Sequence, residues 1–97
     1  MKKLEQIKRT IDGHKSFLKE RFKVESIGVF GSYLSGEQSE KSDIDILVEF
    51  HSTIDLFRFI ELENFLSDIL STKVDLVMRN SLKPRIKDRI LRETVGI

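Results

Sequence analysis

At 97 residues and 11.3 kDa, the chain is long enough to hide roughly two-thirds of its unfolded surface around one core, and too short for two domains. Hydrophobic residues at 39% and charged residues at 34%, with a net charge of only +1, exclude a disordered polyelectrolyte. No run approaches the ~20 apolar residues that span a bilayer, and with no cysteine there is no disulfide, thiolate metal site or cysteine nucleophile.

In chain order, Leu4, Ile7, Ile11, Leu18 and Phe22 recur at helical spacing and predict one amphipathic helix from Leu4 to Phe22, weakened at Gly13. Val24–Phe30 is short, rich in β-branched residues and stops at Gly31-Ser32, which predicts a strand entering a tight turn. Residues 32–42 are too polar for core and read as a surface loop. Ile44–Phe50 alternates, with Ile44, Ile46, Val48 and Phe50 on one face and Asp43, Asp45, Leu47 and Glu49 on the other. Thr53 or Asp55 can cap a broad-striped helix through Leu56, Phe59, Ile60, Leu66, Ile69 and Leu70, widened by Phe57, Leu62 and Phe65. Such breadth predicts a well-buried helix, with any uncovered phenylalanine marking a partner surface. Val74–Met78 is a third strand, and Asn80 or Ser81 caps a last helix whose inner face is Leu82, Ile86, Ile90 and Leu91. The order α-β-β-α-β-α predicts an α/β (α+β) fold. Its small mixed sheet of three strands or slightly more is flanked by helices, with the first two strands antiparallel and the second and third joined by a parallel crossover.

Asp43 and Asp45, two apart, project from one face at a strand's start, and Asp75 stands near the start of the next strand. With parallel pairing the three carboxylates gather at one end of the sheet. Like charges so placed call for a cation, and with only two histidines in the chain the ligand set is oxygen, which suits Mg²⁺ or Mn²⁺ rather than zinc. Two such ions bind the attacking and leaving oxygens in phosphoryl or nucleotidyl transfer. Gly31 allows backbone N–H groups close to a phosphate, and the Ser32 hydroxyl adds a donor. Lys83, Arg85, Lys87, Arg89 and Arg92 are interleaved with Asp88 and Glu93, so they read as a solvated helix face and not a nucleic-acid patch. His14 and His51 have no partner pattern and read as surface residues.

The run Val29-Phe30-Gly31-Ser32, ten further residues, then Asp43-Ile44-Asp45 resembles the Gly-Ser-x10-Asp-x-Asp signature of the DNA polymerase beta-like nucleotidyltransferase superfamily, and its minimal nucleotidyltransferases most of all. Lys73-Val74-Asp75-Leu76-Val77 looks like that family's third-carboxylate strand, and Leu82-Lys83-Pro84 through Glu93 like its closing helix. The resemblance implies that Gly31 and Ser32 hold the triphosphate of ATP. It further implies that Asp43 and Asp45 bind two Mg²⁺ ions, and that Asp75 completes the catalytic metal and helps deprotonate the acceptor. In one departure, Leu34-Ser35-Gly36 stands where many members carry Ala-Arg-Gly, leaving Lys41, Arg79 or Lys83 as candidate cations.

Larger relatives of this kind add a domain to hold the acceptor, and 97 residues leave no room for one. The resemblance therefore implies a protein acceptor: a HEPN-domain ribonuclease toxin that this cytoplasmic chain, as antitoxin, adenylylates on a tyrosine. Two other readings stay open. One is a binding module that neutralises its partner by occlusion alone, and the other is the nucleotide-binding subunit of a small-molecule transferase. The acceptor's identity, the base preference and homo-oligomerisation are not fixed by the sequence.

Overall fold

The computed structural model describes residues 4–31 and 43–97. Helices α1 (Leu4–Asp12) and α2 (Lys15–Phe22) lead into strand β1 (Val24–Phe30). After β2 (Ile44–Phe50) come α3 (Leu56–Leu70), β3 (Val74–Met78), a 3-10 turn (Arg79–Ser81), α4 (Pro84–Glu93) and a short β4 (Val95–Gly96). The four strands form one sheet in the order β3-β2-β1-β4. As the polar loop and the crossover helix predict, β1 and β2 are antiparallel, and β2 and β3 are parallel through α3.

One face of the sheet carries the core. Ile27 pairs with Val48, Val29 with Ile46, and Ile44 with Val74, so the apolar side chains of three strands project to the same side. Against them pack Ile7, Ile11, Leu18 and Phe22 from α1 and α2, and Leu62, Leu66 and Leu70 from α3, each no more than 1% exposed. The seven-residue step from Ile11 to Leu18 would fit one continuous helix. The chain instead turns at Gly13-His14, where the Gly13 and His14 N–H groups close on the Arg9 and Ile11 carbonyls. The single predicted helix is thus two. His14 is half-buried rather than on the surface: its Nδ1 lies 2.8 Å from the Thr10 carbonyl oxygen, and its ring meets Phe65 edge-on at 5.6 Å. His51 is exposed, as expected.

Asp55 caps α3 by accepting from the Arg58 N–H at 2.7 Å. The first turn of this helix is not buried as predicted: Leu56 is 69% and Phe57 84% exposed, with Ile60 at 45% beyond them. The Leu62-Leu66-Leu70 row is the fully buried part of the helix, and Phe59 meets Phe50 of β2 edge-on at 6.4 Å between ring centroids. Two α3 side chains cover the edge strand β3. Ser67 Oγ accepts from the Val74 N–H at 3.0 Å, and a Glu63 carboxylate oxygen accepts from the Leu76 N–H at 3.1 Å.

The last helix starts at Pro84 and not at an Asn80 or Ser81 cap. A residue before proline is pushed out of the helical region, and Lys83 is extended at ψ 138°, so Asn80 and Ser81 fall in the separate 3-10 turn. No residue of α4 is fully buried; Leu82, Ile90 and Leu91 are half-buried and Ile86 is 40% exposed, which is less cover than an inner face predicts. The fourth strand was not legible in the periodicity, because two residues carry no alternation. It exists because Gly28 and Val29 of β1 pair with Gly96 and Val95.

Candidate active site on the open face of the sheet

The second face of the sheet carries the polar residues of the alternating pattern. Asp45 is the register partner of Phe30 on one side and of Asp75 on the other, so Asp45 and Asp75 are cross-strand neighbours on the same face. Asp43 precedes β2 by one residue and shares that face with Asp45. Asp45 and Asp43 are half-buried and Asp75 is exposed. A loose ion pair at 3.9 Å joins Lys73 Nζ to Asp43 Oδ2, with side-chain exposures of 80% and 42% that leave it mostly screened.

Gly31 terminates β1 beside this group, at φ +80°. A Cβ on Gly31 would fall 2.9 Å from Asp45 Cγ, so the missing side chain both permits the backbone turn and makes the space that the Asp45 carboxylate occupies. Across the end of the sheet the order is therefore Gly31, Asp45, Asp75. The expected three-carboxylate end is present as a shared face and edge. It is not a closed cluster: among the described residues no three His, Cys, Asp or Glu groups come together closely enough to hold an ion. The donor chemistry still fits a hard divalent cation, since every candidate ligand is a carboxylate oxygen and Gly31 leaves room on one side of Asp45. Ser32, Tyr33, Leu34-Ser35-Gly36 and Lys41 lie outside the described residues.

Two features were missed by sequence reasoning. Further along the same face, Arg79 Nη1 donates to Glu49 Oε1 at 3.3 Å, with side-chain exposures of 41% and 29%. This pair holds the Arg79 guanidinium four residues along β2 from Asp45, away from the Gly31 turn. Arg79 is therefore not placed as a substitute phosphate cation, and Lys83 is an exposed residue ahead of α4. The second feature is Gly28, where a Cβ would meet Thr94 Cγ2 at 2.5 Å and the Val95 carbonyl oxygen at 2.9 Å. A glycine inside a strand signals such a close approach of backbone, and it was the available clue. Thr94 and Leu91 thus lie over β1 and β2, and with Leu47, Glu49 and Arg79 they line an open depression of about 190 Å³. A larger cavity of about 290 Å³ sits at the other end of β2 and β3, lined by Phe50, His51, Ile54 and Met78 among others, remote from the carboxylates.

Comparison with known proteins adds three findings. The nucleotidyltransferase domain family matches residues 11–97. The protein adenylyltransferase MntA of Thermococcus cleftensis is 52% identical over 94 residues, covering 97% of this chain and 95% of that one. Among solved structures, one assigned as a minimal nucleotidyltransferase superposes with a TM-score of 0.83 at 30% identity, covering 99% of this chain and 97% of that chain. A tri-AMPylated Shewanella oneidensis HEPN toxin in complex with its MNT antitoxin also matches, with a TM-score of 0.66 and 25% identity over 93% of this chain and 70% of that chain.

Proposed function

The chain belongs to the nucleotidyltransferase domain family, and from that premise we propose that it transfers AMP from ATP to a hydroxyl of a partner protein, with pyrophosphate leaving. The observation that carries this reading is the register of Asp45 with Asp75 beside Gly31 on the uncovered face. The acceptor is a tyrosine of a HEPN-domain toxin, and the chain acts in the cytoplasm as its antitoxin. The similarity to an adenylyltransferase and to a complex that contains an AMPylated HEPN toxin supports this choice.

In this mechanism the Gly31 backbone, with Ser32, binds the triphosphate. Asp43, Asp45 and Asp75 would hold Mg²⁺, which when bound offsets the charge developing on the phosphate oxygens. Asp75 lies on the far side of Asp45 from Gly31, so it takes the proton of an acceptor hydroxyl that approaches opposite the leaving group. The bond from the acceptor oxygen to the α-phosphorus forms as the α–β bridging P–O bond breaks, and pyrophosphate departs with the electron pair. Positioning supplies most of the rate, because the protein forms no covalent bond of its own.

The test is incubation with Mg²⁺ and α-labelled ATP in a lysate of the source cells, beside the Asp43→Asn/Asp45→Asn chain, followed by a denaturing gel. A labelled protein band is expected that vanishes with the variant while the variant's circular dichroism stays native, since removing like charges from half-buried positions does not destabilise the sheet. Stoichiometric co-purification of a partner without any labelled band would instead establish neutralisation by occlusion.

A further inference from the structure

We infer that Glu63 and Ser67 of α3 are positioning residues for Asp75, gripping the main chain on either side of it. This rests on the adenylyl-transfer reading and deepens it by naming what fixes the third carboxylate. Asp75 is exposed and stands on β3, the strand at the edge of the sheet, so its side chain is not held by packing and its strand has a neighbour on one side only. Its carboxylate goes where the backbone of residues 74–76 goes.

The phase of the sheet decides which groups are left to hold that backbone. The Ile44 N–H donates to the Lys73 carbonyl at 3.0 Å. In a parallel pair this alternation turns the main-chain groups of Asp75 towards β2 and the N–H groups of Val74 and Leu76 outwards. At the outer edge α3 takes both. Ser67 Oγ accepts from the Val74 N–H at 3.0 Å, and a Glu63 carboxylate oxygen accepts from the Leu76 N–H at 3.1 Å. The Ser67 hydroxyl itself donates to the Glu63 carbonyl at 2.9 Å, which fixes the direction in which it can accept.

The two elements match in pitch. Glu63 and Ser67 are one helical turn apart, about 6 Å along α3, and Val74 and Leu76 are separated by about 6.6 Å along β3. Helix and strand run in opposite directions, as a crossover between parallel strands requires, so the two acceptors fall opposite the two donors with Asp75 between them. The helix is anchored in its turn by Leu62, Leu66 and Leu70, each 0% exposed. Rigidity of the core thus reaches an exposed carboxylate through two side-chain hydrogen bonds, and the one to the charged Glu63 is the stronger.

The test compares Glu63→Ala, Glu63→Asp and Glu63→Gln in the full chain, with Asp75→Asn as the reference. The initial rate of acceptor labelling in the lysate is followed against Mg²⁺ concentration at fixed α-labelled ATP, and amide exchange is read at Leu76. Aspartate keeps the charge but falls one methylene short of the Leu76 N–H, whereas glutamine keeps the reach and an acceptor oxygen. Glu63→Ala and Glu63→Asp are therefore expected to speed exchange at Leu76 and to raise the Mg²⁺ concentration for half-maximal rate about tenfold to a hundredfold, as loss of a residue that orients a metal ligand does. Glu63→Gln should restore most of both. A fold weakened in general lowers the maximal rate through a smaller active fraction and leaves the Mg²⁺ midpoint where it was. A wild-type midpoint in Glu63→Ala, or unchanged exchange at Leu76, with Asp75→Asn still impaired, overturns the positioning role and leaves the transfer reading standing. A wild-type chain that labels nothing, or an Asp75→Asn chain that labels like wild type, overturns both.

Discussion

Replacing Gly31 by alanine tests the site where backbone and chemistry meet most closely. Gly31 sits at φ +80°, a region in which a residue with a Cβ costs on the order of 1–2 kcal/mol. For a domain of this size that loss lowers Tm by roughly 4–16 °C. The added methyl would also lie 2.9 Å from Asp45 Cγ. Asp45 is half-buried, so its carboxylate can move aside, and the clash is relieved at the expense of its position. A displacement of about 1 Å at a reacting group can cost on the order of a hundredfold in rate, so AMP transfer should fall at least that far. Gly28→Ala is the comparison: its methyl would strike Thr94 Cγ2 at 2.5 Å and the Val95 carbonyl oxygen at 2.9 Å, costing about 1–3 kcal/mol by forcing β4 away without touching Asp45. Thermal melts followed by circular dichroism, paired with the labelled-ATP assay below each variant's Tm, separate the two effects. Equal loss of transfer in both variants, or a Gly31→Ala chain that melts and transfers like wild type, refutes the reasoning.

Asp55→Ala removes the side-chain acceptor for the Arg58 N–H and should cost about 1 kcal/mol in urea unfolding without changing nucleotide binding. Ser67→Ala leaves the part-buried Val74 N–H without its 3.0 Å partner and should cost about 1–3 kcal/mol, with faster amide exchange at Val74 as the site-specific readout.

The parts of this structure legible in the sequence are those that repeat. Ile44, Ile46 and Val48 alternate with Asp45, Leu47 and Glu49, and that period alone assigns one set to the core and the other to the uncovered face. The parallel placement of Asp75 beside Asp45 followed from the length of the helix between their strands. What escaped depends on a single residue or on distant partners. The break at Gly13-His14 interrupts a stripe whose spacing stays in phase, so periodicity cannot register it. The pair Glu49–Arg79 joins positions 30 residues apart through a turn that follows β3, and no local pattern announces it. Leu56, Phe57 and Ile60 belong to the stripe by spacing yet are exposed, because the stripe is wider than the row of Leu62, Leu66 and Leu70 that the helix buries.

The two faces of the sheet divide stability from chemistry. Every core residue of β2, namely Ile44, Ile46 and Val48, projects to the helical side, whereas Asp45 and Glu49 project to the other. A carboxylate exchanged for its amide on the uncovered face therefore removes charge without opening a cavity, so such changes should alter binding or rate at little expense in folding. Leu47 is the exception among the side chains, being 6% exposed on the uncovered face beneath the closing segment. It exists as core only because Thr94 and Leu91 cover it, and they can do so only because residue 28 is glycine. Amide exchange in α4 should consequently be faster than in α1, α2 and α3, since no residue of α4 is fully buried whereas those three helices supply the core.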